Sequence, residues 1–362
     1  MTATASTFGV EEEFHILDAA TGRLAPGSAT LLTDSDGAEK EFQRSMVETA
    51  TAVCTDLDEL RAELVASRKA LVAAADRAGL CVVAAGTVPD SGVATAPVYP
   101  DDRYRRIRDR YQKLAVEQQV CATQVQVGVE HPDLAVRIIP RVRGWLPTLL
   151  ALSASSPYFQ HADTGYASYR NIVASRWPTA GPPPVFPDHA AYQRSVRRLI
   201  DTGVIDDAGM IYFDARVSAR YPTLELRICD STPRLDDVVL LAGLGRALVA
   251  TAAAEEEAGA PPADVPDELL RAATWTAARD GLRDRLVDPV AGESVKAADL
   301  VGRLVAHVRP ALEATGDREM VEAGVADLLH RGTSAESQRR SLVSGGGEAG
   351  VTAALAALTR QG

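Results

Sequence analysis

The chain has few cysteines and no long apolar run among its 362 residues. The strongly apolar run 238–244 is too short to cross a bilayer, so the sequence predicts no membrane segment. Residues 1–7 lack the basic and apolar regions of a signal peptide. The cysteines stand singly, without the paired spacing of a metal site, at Cys54, Cys81, Cys121 and Cys229. We therefore expect reduced, mostly buried thiols in a cytoplasmic protein.

Positive charge is also scarce, since 38 Lys and Arg face 49 Asp and Glu, a formal net charge of -11. This balance disfavours nucleic acid or an anionic membrane as the main partner, although local charge can still favour ATP. The Gly-x-x-x-x-Gly-Lys loop, the Gly-x-Ser-x-Gly elbow and the Rossmann fingerprint are all absent. A bound nucleotide would therefore be held by metal ions and arginines.

Three consecutive carboxylates stand between apolar residues in the stretch 8–17, Phe-Gly-Val-Glu-Glu-Glu-Phe-His-Ile-Leu. In a strand, Glu11 and Glu13 would share one face and Glu12 would point away. Two carboxylates about 7 Å apart on one face repel each other unless cations lie between them, and magnesium takes oxygen ligands. The stretch predicts an acidic metal platform; the alternative is an edge strand with a solvated acidic face.

Further strands carry polar residues on one face. Residues 41–54 read as a strand in which Glu41 and Glu48 lie on opposite faces, or on one face if a bulge or helical turn intervenes. Residues 121–129 alternate polar and apolar, so Gln124 and Gln126 share a face. A short buried strand is predicted at 80–85.

A hairpin is predicted from 211–218 and 222–230. On its second strand Glu225 and Arg227 share a face, where they could pair as a salt bridge. The irregular region 156–184 is long enough to suggest a functional role. Its Arg170 and Arg176 are candidates for binding a carboxylate or phosphate, and structural salt bridges are the alternative.

Composition, 46% hydrophobic and 24% charged, indicates a globular chain with a large core. Apolar periodicity predicts helices at 57–79, 102–120, 133–153 with a kink at Pro147, 190–202, 235–258, 266–282, 295–315, 317–331 and 351–358. Residues 255–267 read as a surface linker, and the glycine-rich 344–347 as a flexible joint.

Several of these strings together resemble bacterial carboxylate–amine ligases, the second class of glutamate–cysteine ligases. They are Gly-Val-Glu-Glu-Glu-Phe at 9–14 and further strings at 46–51, 163–170, 176–184, 275–282 and 332–339, in the family's order over about residues 8 to 342. The resemblance implies an α+β fold like that of glutamine synthetase. A curved, largely antiparallel sheet would form a funnel-shaped active site with helices outside, in one domain over 1–362 whose part 235–362 is mainly helical.

The resemblance also implies ATP-dependent ligation. A carboxylate, by resemblance the glutamate side chain, would be converted to an acyl phosphate and then attacked by an amino-acid amine, giving an amide, ADP and phosphate. The family pattern implies Mg²⁺ ligands at Glu11, Glu13, Glu48 and Glu225. It further implies catalytic roles for Arg227 and Arg170, and ATP contacts from Gln124, Gln126 and Arg176. We expect no nucleic acid or membrane partner and leave a homodimer open.

This chain departs from the family pattern where histidines are usual, at Val88, Gln124 and Gln126. A glutamine amide can still be a neutral oxygen ligand and a donor, but it cannot shuttle protons near neutral pH. The departures argue against cysteine as the acceptor and favour a specialised ligase, for example one making a γ-glutamyl dipeptide for a secondary metabolite. The alternative is a non-catalytic relative that binds a nucleotide or an amino acid.

Overall fold

The computed structural model describes residues 5–35, 37–90 and 97–361. Its centre is a seven-stranded sheet in the order β2-β3-β1-β5-β9-β8, with β4 also paired to β1. Every pairing in this sheet is antiparallel. The strands are β1 (Phe8–Asp18), β2 (Ala38–Lys40), β3 (Met46–Ala50), β4 (Leu80–Val83), β5 (Thr123–Gly128), β6 (Tyr158–Phe159), β7 (Ala162–Asp163), β8 (Ala215–Val217), β9 (Thr223–Leu226), β10 (Arg285–Asp288) and β11 (Glu293–Lys296). The last pair and β6-β7 form separate two-stranded sheets.

Helices make up most of the remaining chain and dominate its C-terminal third. They are α1 (Ser28–Asp34), α2 (Leu57–Arg77), α3 (Asp102–Tyr111), α4 (Lys113–Val116), α5 (Pro132–Val142), α6 (Leu146–Ser153), α7 (Tyr169–Ala174), α8 (His189–Asp201), α9 (Leu235–Glu257), α10 (Asp267–Asp280), α11 (Ala297–Thr315), α12 (Arg318–Arg331), α13 (Ser334–Ser341) and α14 (Gly347–Arg360). A 3-10 turn spans Ala208–Met210 and a π-helical turn spans Leu342–Gly346. The predicted α+β class, with its antiparallel sheet and helical C-terminal region, is confirmed.

Strand β1 gives the sheet one apolar and one polar face. Phe8, Val10, Phe14 and Ile16 are buried on the face that packs against helices. Glu11 and Glu13 alternate with them and therefore point to the other face. The strict alternation of this stretch thus decides which side of the sheet is the core.

Helix α9 is the main helix behind the sheet. Gly245 lets it approach closely, because a Cβ at this position would lie 3.0 Å from Leu226 Cδ1 and 3.3 Å from Val125 Cγ1. In the described part of the chain, α9 alone is long and apolar enough to cross a membrane by length and composition, and 83% of its most apolar window is buried.

Glu12 lies on the helix side of the sheet, opposite its acidic neighbours, as its place in the alternation predicts. Arg68 of α2 binds it through Nε–Oε2 at 3.1 Å and Nη2–Oε1 at 2.6 Å. The same guanidinium donates to the carbonyls of Pro233 at 2.7 Å and Thr232 at 2.9 Å. Both side chains are almost completely buried, so this ion pair joins β1, α2 and the segment before α9 inside the core.

Four local predictions are wrong. The helix predicted at 102–120 breaks at Gln112, whose φ of 52° lies in the left-handed region. The helix at 133–153 breaks after Val142, and Pro147 sits in the first turn of α6, where its missing N–H costs nothing. A hairpin, β10-β11, replaces the helical start predicted at 295. The glycine-rich joint is helical, as a π turn that continues into α14.

Candidate active site

A cavity of about 980 Å³ lies over the polar face of the sheet. This volume falls at the upper end of ordinary ligand pockets. Residues of β1, β3, β5 and β9 line it, together with the segments around residues 41, 103, 170 and 212. Seven of the nine site residues predicted from the sequence belong to the lining: Glu11, Glu13, Glu48, Gln124, Arg170, Glu225 and Arg227.

The register of the strands brings the carboxylates together. Glu13 lies directly opposite Glu48, and Glu11 lies opposite Gln124. Glu13 accepts hydrogen bonds from the Ala122 amide at 2.7 Å and from Gln124 Nε2 at 3.1 Å. Strands β1 and β3 therefore present an acidic wall to the cavity, formed by Glu11, Glu13 and Glu48, with Gln124 of β5 beside it.

Glu41 joins this wall, although it lies outside β2 and β3. The chain leaves β2 at Lys40 and re-enters the sheet at Met46. Glu41 therefore lies outside regular strand geometry, and the alternation that would put Glu41 and Glu48 on different faces does not apply. Of the two arrangements that the sequence left open, the structure shows the one in which Glu41 and Glu48 lie on the same side, towards the cavity. The irregular backbone between the strands is the physical reason.

The acidic wall is short of positive charge. Burial and the neighbouring carboxylates, Glu41 first, raise the pKa of Glu48 well above its usual range. Burial and then Glu13 raise the pKa of Glu41 to about 8. Burial also raises the pKa of Glu11, with Glu225 adding to the effect, and burial raises that of Glu13. The wall therefore favours binding a proton or a cation.

These donors suit a hard divalent cation by their chemistry, because all are carboxylate oxygens with excess negative charge. Within the described ranges, no three carboxylate, imidazole or thiolate groups already converge on one point where a metal ion could be held. Side-chain rotation within the wall would be needed to bring Glu11, Glu13 and Glu48 onto one ion.

Glu225 differs from the other predicted metal ligands, because two arginine side chains form ion pairs with it. Arg216 Nε donates to Glu225 Oε2 at 2.5 Å, and Arg227 Nη1 donates to the same oxygen at 3.1 Å. Burial opposes ionisation of Glu225, but Arg216 and then Arg227 outweigh it and hold its pKa below the usual value. A metal ion at Glu225 would therefore compete with two guanidinium groups.

Arg227 stands where the acidic wall meets the arginines. It lines the cavity and also donates to Gln124 Oε1, whose amide nitrogen binds Glu13. The amide of Gln124 thus links Arg227 to Glu13. Its oxygen, which the sequence suggested as a neutral metal ligand, is occupied by Arg227.

Arg170 lies at the cavity edge with its guanidinium largely committed to the protein. It donates to the carbonyls of Ile228 at 3.0 Å and Arg227 at 3.1 Å, and lies 3.8 Å from Asp230. These bonds fix the chain just after β9. The geometry gives Arg170 a positioning role for the backbone that carries Arg227.

Two predicted ATP contacts lie outside the cavity lining. Arg176 donates to Glu117 at 2.5 Å and to the carbonyl of Val173 at 3.1 Å, the structural salt bridge that was its alternative. Gln126 donates to Glu11 at 3.0 Å and accepts from Thr223 at 2.6 Å, so it orients a wall carboxylate without lining the cavity itself. Neither side chain is among those that line the cavity, and their ATP contacts stay predictions.

Sequence reasoning missed three lining groups. Arg216 lies opposite Glu225 in the β8-β9 pairing, and only the register reveals it. Arg103 also lines the cavity, where its guanidinium binds both carboxylate oxygens of Asp207, at 2.6 and 3.1 Å. Asp214, next to β8, is a buried acid in the lining. In the sequence, only its apolar neighbours in Tyr-Phe-Asp-Ala indicate that Asp214 is a buried acid.

We expect Arg227→Lys to lower turnover by about 10- to 100-fold with little loss of stability. Lysine keeps the charge but cannot bind Glu225 and Gln124 with a planar fork while facing the cavity. Steady-state kinetics and a thermal melt check this. Arg220→Lys at the cavity rim, which has no ion pair to lose within the described residues, is the matched control and should change turnover much less. Full activity in Arg227→Lys would contradict the role.

The fold is shared with solved ligases. The glutamate–cysteine ligase of Francisella tularensis, solved in complex with AMP, superposes with a TM-score of 0.72 at 12% identity over 98% of this chain and 88% of that one. The bifunctional glutathione synthetase of Pasteurella multocida gives 0.71 at 15% identity, over 98% of this chain and 52% of that one. At such low identity these likenesses concern the fold alone.

Sequence comparison goes further. A model described as glutamate–cysteine ligase family 2 matches residues 7–354. A protein named "Putative glutamate–cysteine ligase 2-2" from Mycolicibacterium smegmatis is 48% identical over 341 residues, 94% of this chain and 86% of that protein. Another of the same name from Frankia casuarinae is 46% identical over 340 residues, and the matched part spans 93% of this chain but only 40% of that longer protein.

Fold, site and sequence together define the class, that of ATP-dependent carbon–nitrogen ligases. The chain belongs to the glutamate–cysteine ligase family 2. The predicted family and enzyme class are thereby confirmed, while the roles of individual site residues stay predictions.

Proposed function

We propose that this protein joins the side-chain carboxylate of glutamate, or of a similar acid, to the amine of an amino acid at the cost of ATP. The supporting observation is the cavity over the sheet, with an acidic wall on one side and Arg227 and Arg216 on the other. An acidic wall suits the magnesium form of ATP, and arginine suits the substrate carboxylate and the transferred phosphoryl group. The cytoplasm is the proposed location.

The acidic wall would hold the nucleotide's cations. Glu11, Glu13 and Glu48 would be the principal Mg²⁺ ligands, with Glu225 a weaker candidate because Arg216 and Arg227 occupy it. When bound, Mg²⁺ supplies charge neutralisation for the phosphates. Exposed Trp275 and Tyr221 at the cavity rim offer aromatic faces to the adenine base.

Arg227 would stabilise the charge that moves during the reaction. Its guanidinium faces the cavity beside Glu225, close to where a carboxylate oxygen would meet the γ-phosphoryl group. Formation of an acyl phosphate moves negative charge from the nucleotide to the new mixed anhydride, and a fixed guanidinium lowers the cost of that movement. Arg170 would keep Arg227 in place through its backbone.

The proposed acceptor is an amino acid other than cysteine. Val88 is fully buried, and the side-chain amide of Gln124 is hydrogen-bonded to Glu13 and Arg227. Neither position therefore has the proton-accepting imidazole of the family pattern. A specialised γ-glutamyl dipeptide for a secondary metabolite fits these changes. A non-catalytic relative, the second candidate, is favoured only by the same lost histidines.

The test is product formation with the unmodified protein. ATP, Mg²⁺ and glutamate are incubated with each amino acid in turn, and ADP, phosphate and amide are quantified by chromatography and mass spectrometry. We expect one acceptor group to give amide, ADP and phosphate in equal amounts. ATP binding without ADP release for any donor and acceptor would favour the non-catalytic relative.

Restoring a histidine at position 124 separates the two candidates further. We expect Gln124→His to keep ATP binding, to add a pH-dependent limb near neutrality to the activity profile, and not to improve turnover. The profile of the unmodified protein should lack that limb. Profiles are compared with Gln118→His, another cavity-lining glutamine. An inert unmodified protein and an active Gln124→His variant would contradict the proposal that glutamine preserves function.

A further inference from the structure

The buried carboxylate of Asp214 has neither a hydrogen-bond donor nor an ion-pair partner in the described part of the chain. Asp214 lines the cavity and is 9% exposed. Among residues 5–35, 37–90 and 97–361, no side chain or amide donates a hydrogen bond to its carboxylate and no guanidinium or ammonium group lies within ion-pair distance. A buried, unpaired carboxylate is costly, so this one is of interest as a binding group.

The backbone holds Asp214 firmly in position. Its amide donates to the Gly181 carbonyl at 2.9 Å, and its carbonyl accepts from the Arg227 amide at 2.8 Å. Because Ala215 pairs with Leu226 in β8-β9, Asp214 lies opposite Arg227 and on the same polar face. The guanidinium of Arg227 is turned towards Glu225 and Gln124 instead.

Charge separates Asp214 from the acidic wall. Burial raises the pKa of Asp214 to about 7, and Arg170 opposes the increase. The wall carboxylates, by contrast, raise one another's pKa values. Asp214 therefore responds to Arg170 and not to the wall carboxylates, and its backbone pairing places it beside Arg227 and away from β1 and β3.

We propose that Asp214 receives the amine nitrogen of the acceptor and takes its proton before the amine attacks. This inference rests on the proposed ligase function. An amino-acid amine arrives as an ammonium group, which is a cation with three donors and suits an unpaired carboxylate. Asp214 is then a catalytic residue that determines which face of the acyl phosphate the acceptor reaches.

The proton balance of the step closes. The ammonium group gives one proton to the Asp214 carboxylate, and the free amine attacks the acyl carbon. The C–N bond forms, the bond from the acyl carbon to the phosphate oxygen breaks, and a second proton moves from nitrogen to the leaving phosphate. The amide nitrogen keeps the third hydrogen, and protonated Asp214 returns its proton to water.

Hydroxylamine provides a direct test, because it is a mostly uncharged nucleophile near neutral pH and traps acyl phosphates as hydroxamates. Asp214→Asn is compared with unmodified protein and with Asp206→Asn, a control in a surface ion pair with Arg106. We expect Asp214→Asn to lower kcat/KM for the best amino-acid acceptor about 100-fold while hydroxamate formation falls less than about threefold. Asp206→Asn should alter neither rate.

Each other outcome overturns the inference in a distinguishable way. Unchanged amide formation by Asp214→Asn, or equal losses of amide and hydroxamate, would contradict an acceptor role. Equal losses with glutamate that vanish when glutarate is the donor would assign Asp214 to the donor's own ammonium group. Unmodified protein that forms neither amide nor hydroxamate would overturn the proposed ligase function itself. A thermal melt of each variant excludes unfolding as the cause.

Discussion

Glu13→Gln lowers ATP-dependent ligation by about 100-fold or more, and Glu225→Gln has a similar effect, while both proteins stay folded. Glutamine keeps the size and the hydrogen-bonding ability of the side chain but removes the negative charge. The loss corresponds to about 3 kcal/mol of transition-state stabilisation, within the range that cation-assisted phosphoryl transfer supplies. Glu13 lies on β1 and Glu225 on β9, with β5 between these strands. Similar losses of activity in both variants would show that both strands contribute to the same site.

The two variants should differ in stability. Burial works against ionised Glu13, so a neutral amide there should leave the melting temperature of the ligand-free protein unchanged or higher. Glu225→Gln removes a charge that Arg216 and Arg227 share, so it should lower the melting temperature. Glu257→Gln, at the exposed end of α9, is the control for both. Near-normal ATP turnover in both Glu13→Gln and Glu225→Gln would contradict the acidic platform.

Arg68→Met destabilises the protein by about 3–5 kcal/mol, the range for breaking a buried ion pair and leaving one charge unpaired. The cause is Glu12, which is 0% exposed and would keep its charge in the core without Arg68. The carbonyls of Thr232 and Pro233 would lose their donor as well. Urea unfolding followed by circular dichroism measures the change.

Arg61→Met on the same helix is the matched control. Arg61 pairs with Asp236 at the surface, so its loss should cost less than about 1 kcal/mol. The double variant Glu12→Gln, Arg68→Met should recover part of the stability lost in Arg68→Met, because no charge remains buried. Equal destabilisation by Arg61→Met and Arg68→Met would show that the buried pair has no special part in stability.

The sequence predicted well wherever the two-residue period of a strand decided the outcome. The alternation in β1 correctly separated Glu12 from Glu11 and Glu13, because burial of Phe14 and Ile16 forces every second side chain onto the cavity face. Helix α9 was equally predictable from its continuous apolar pattern. These are local features that do not depend on which strand lies next to which.

The pairing register of the strands and the course of the irregular backbone could not be predicted from sequence patterns. Arg216 faces Glu225 only because the turn between β8 and β9 sets their pairing. Gln112 interrupts a charged helix because its φ lies in the left-handed region. No glycine or proline next to it in the sequence indicates this break. Glu41 reaches the acidic wall through an irregular connection. Arg170 and Arg176 both lie in the region predicted to be irregular, but the structure places Arg170 in α7 at the cavity and pairs Arg176 with Glu117.

The central claim is that this cavity activates a carboxylate by phosphoryl transfer, and the fate of one oxygen atom tests it most directly. Glutamate labelled with heavy oxygen in its side-chain carboxylate is incubated with ATP, Mg²⁺ and the accepted amine, and the phosphorus products are analysed by mass spectrometry. An acyl phosphate intermediate predicts one heavy oxygen transferred to each phosphate released, with unlabelled ADP. Heavy oxygen in AMP, or amide formed without any labelled phosphate, would contradict the account.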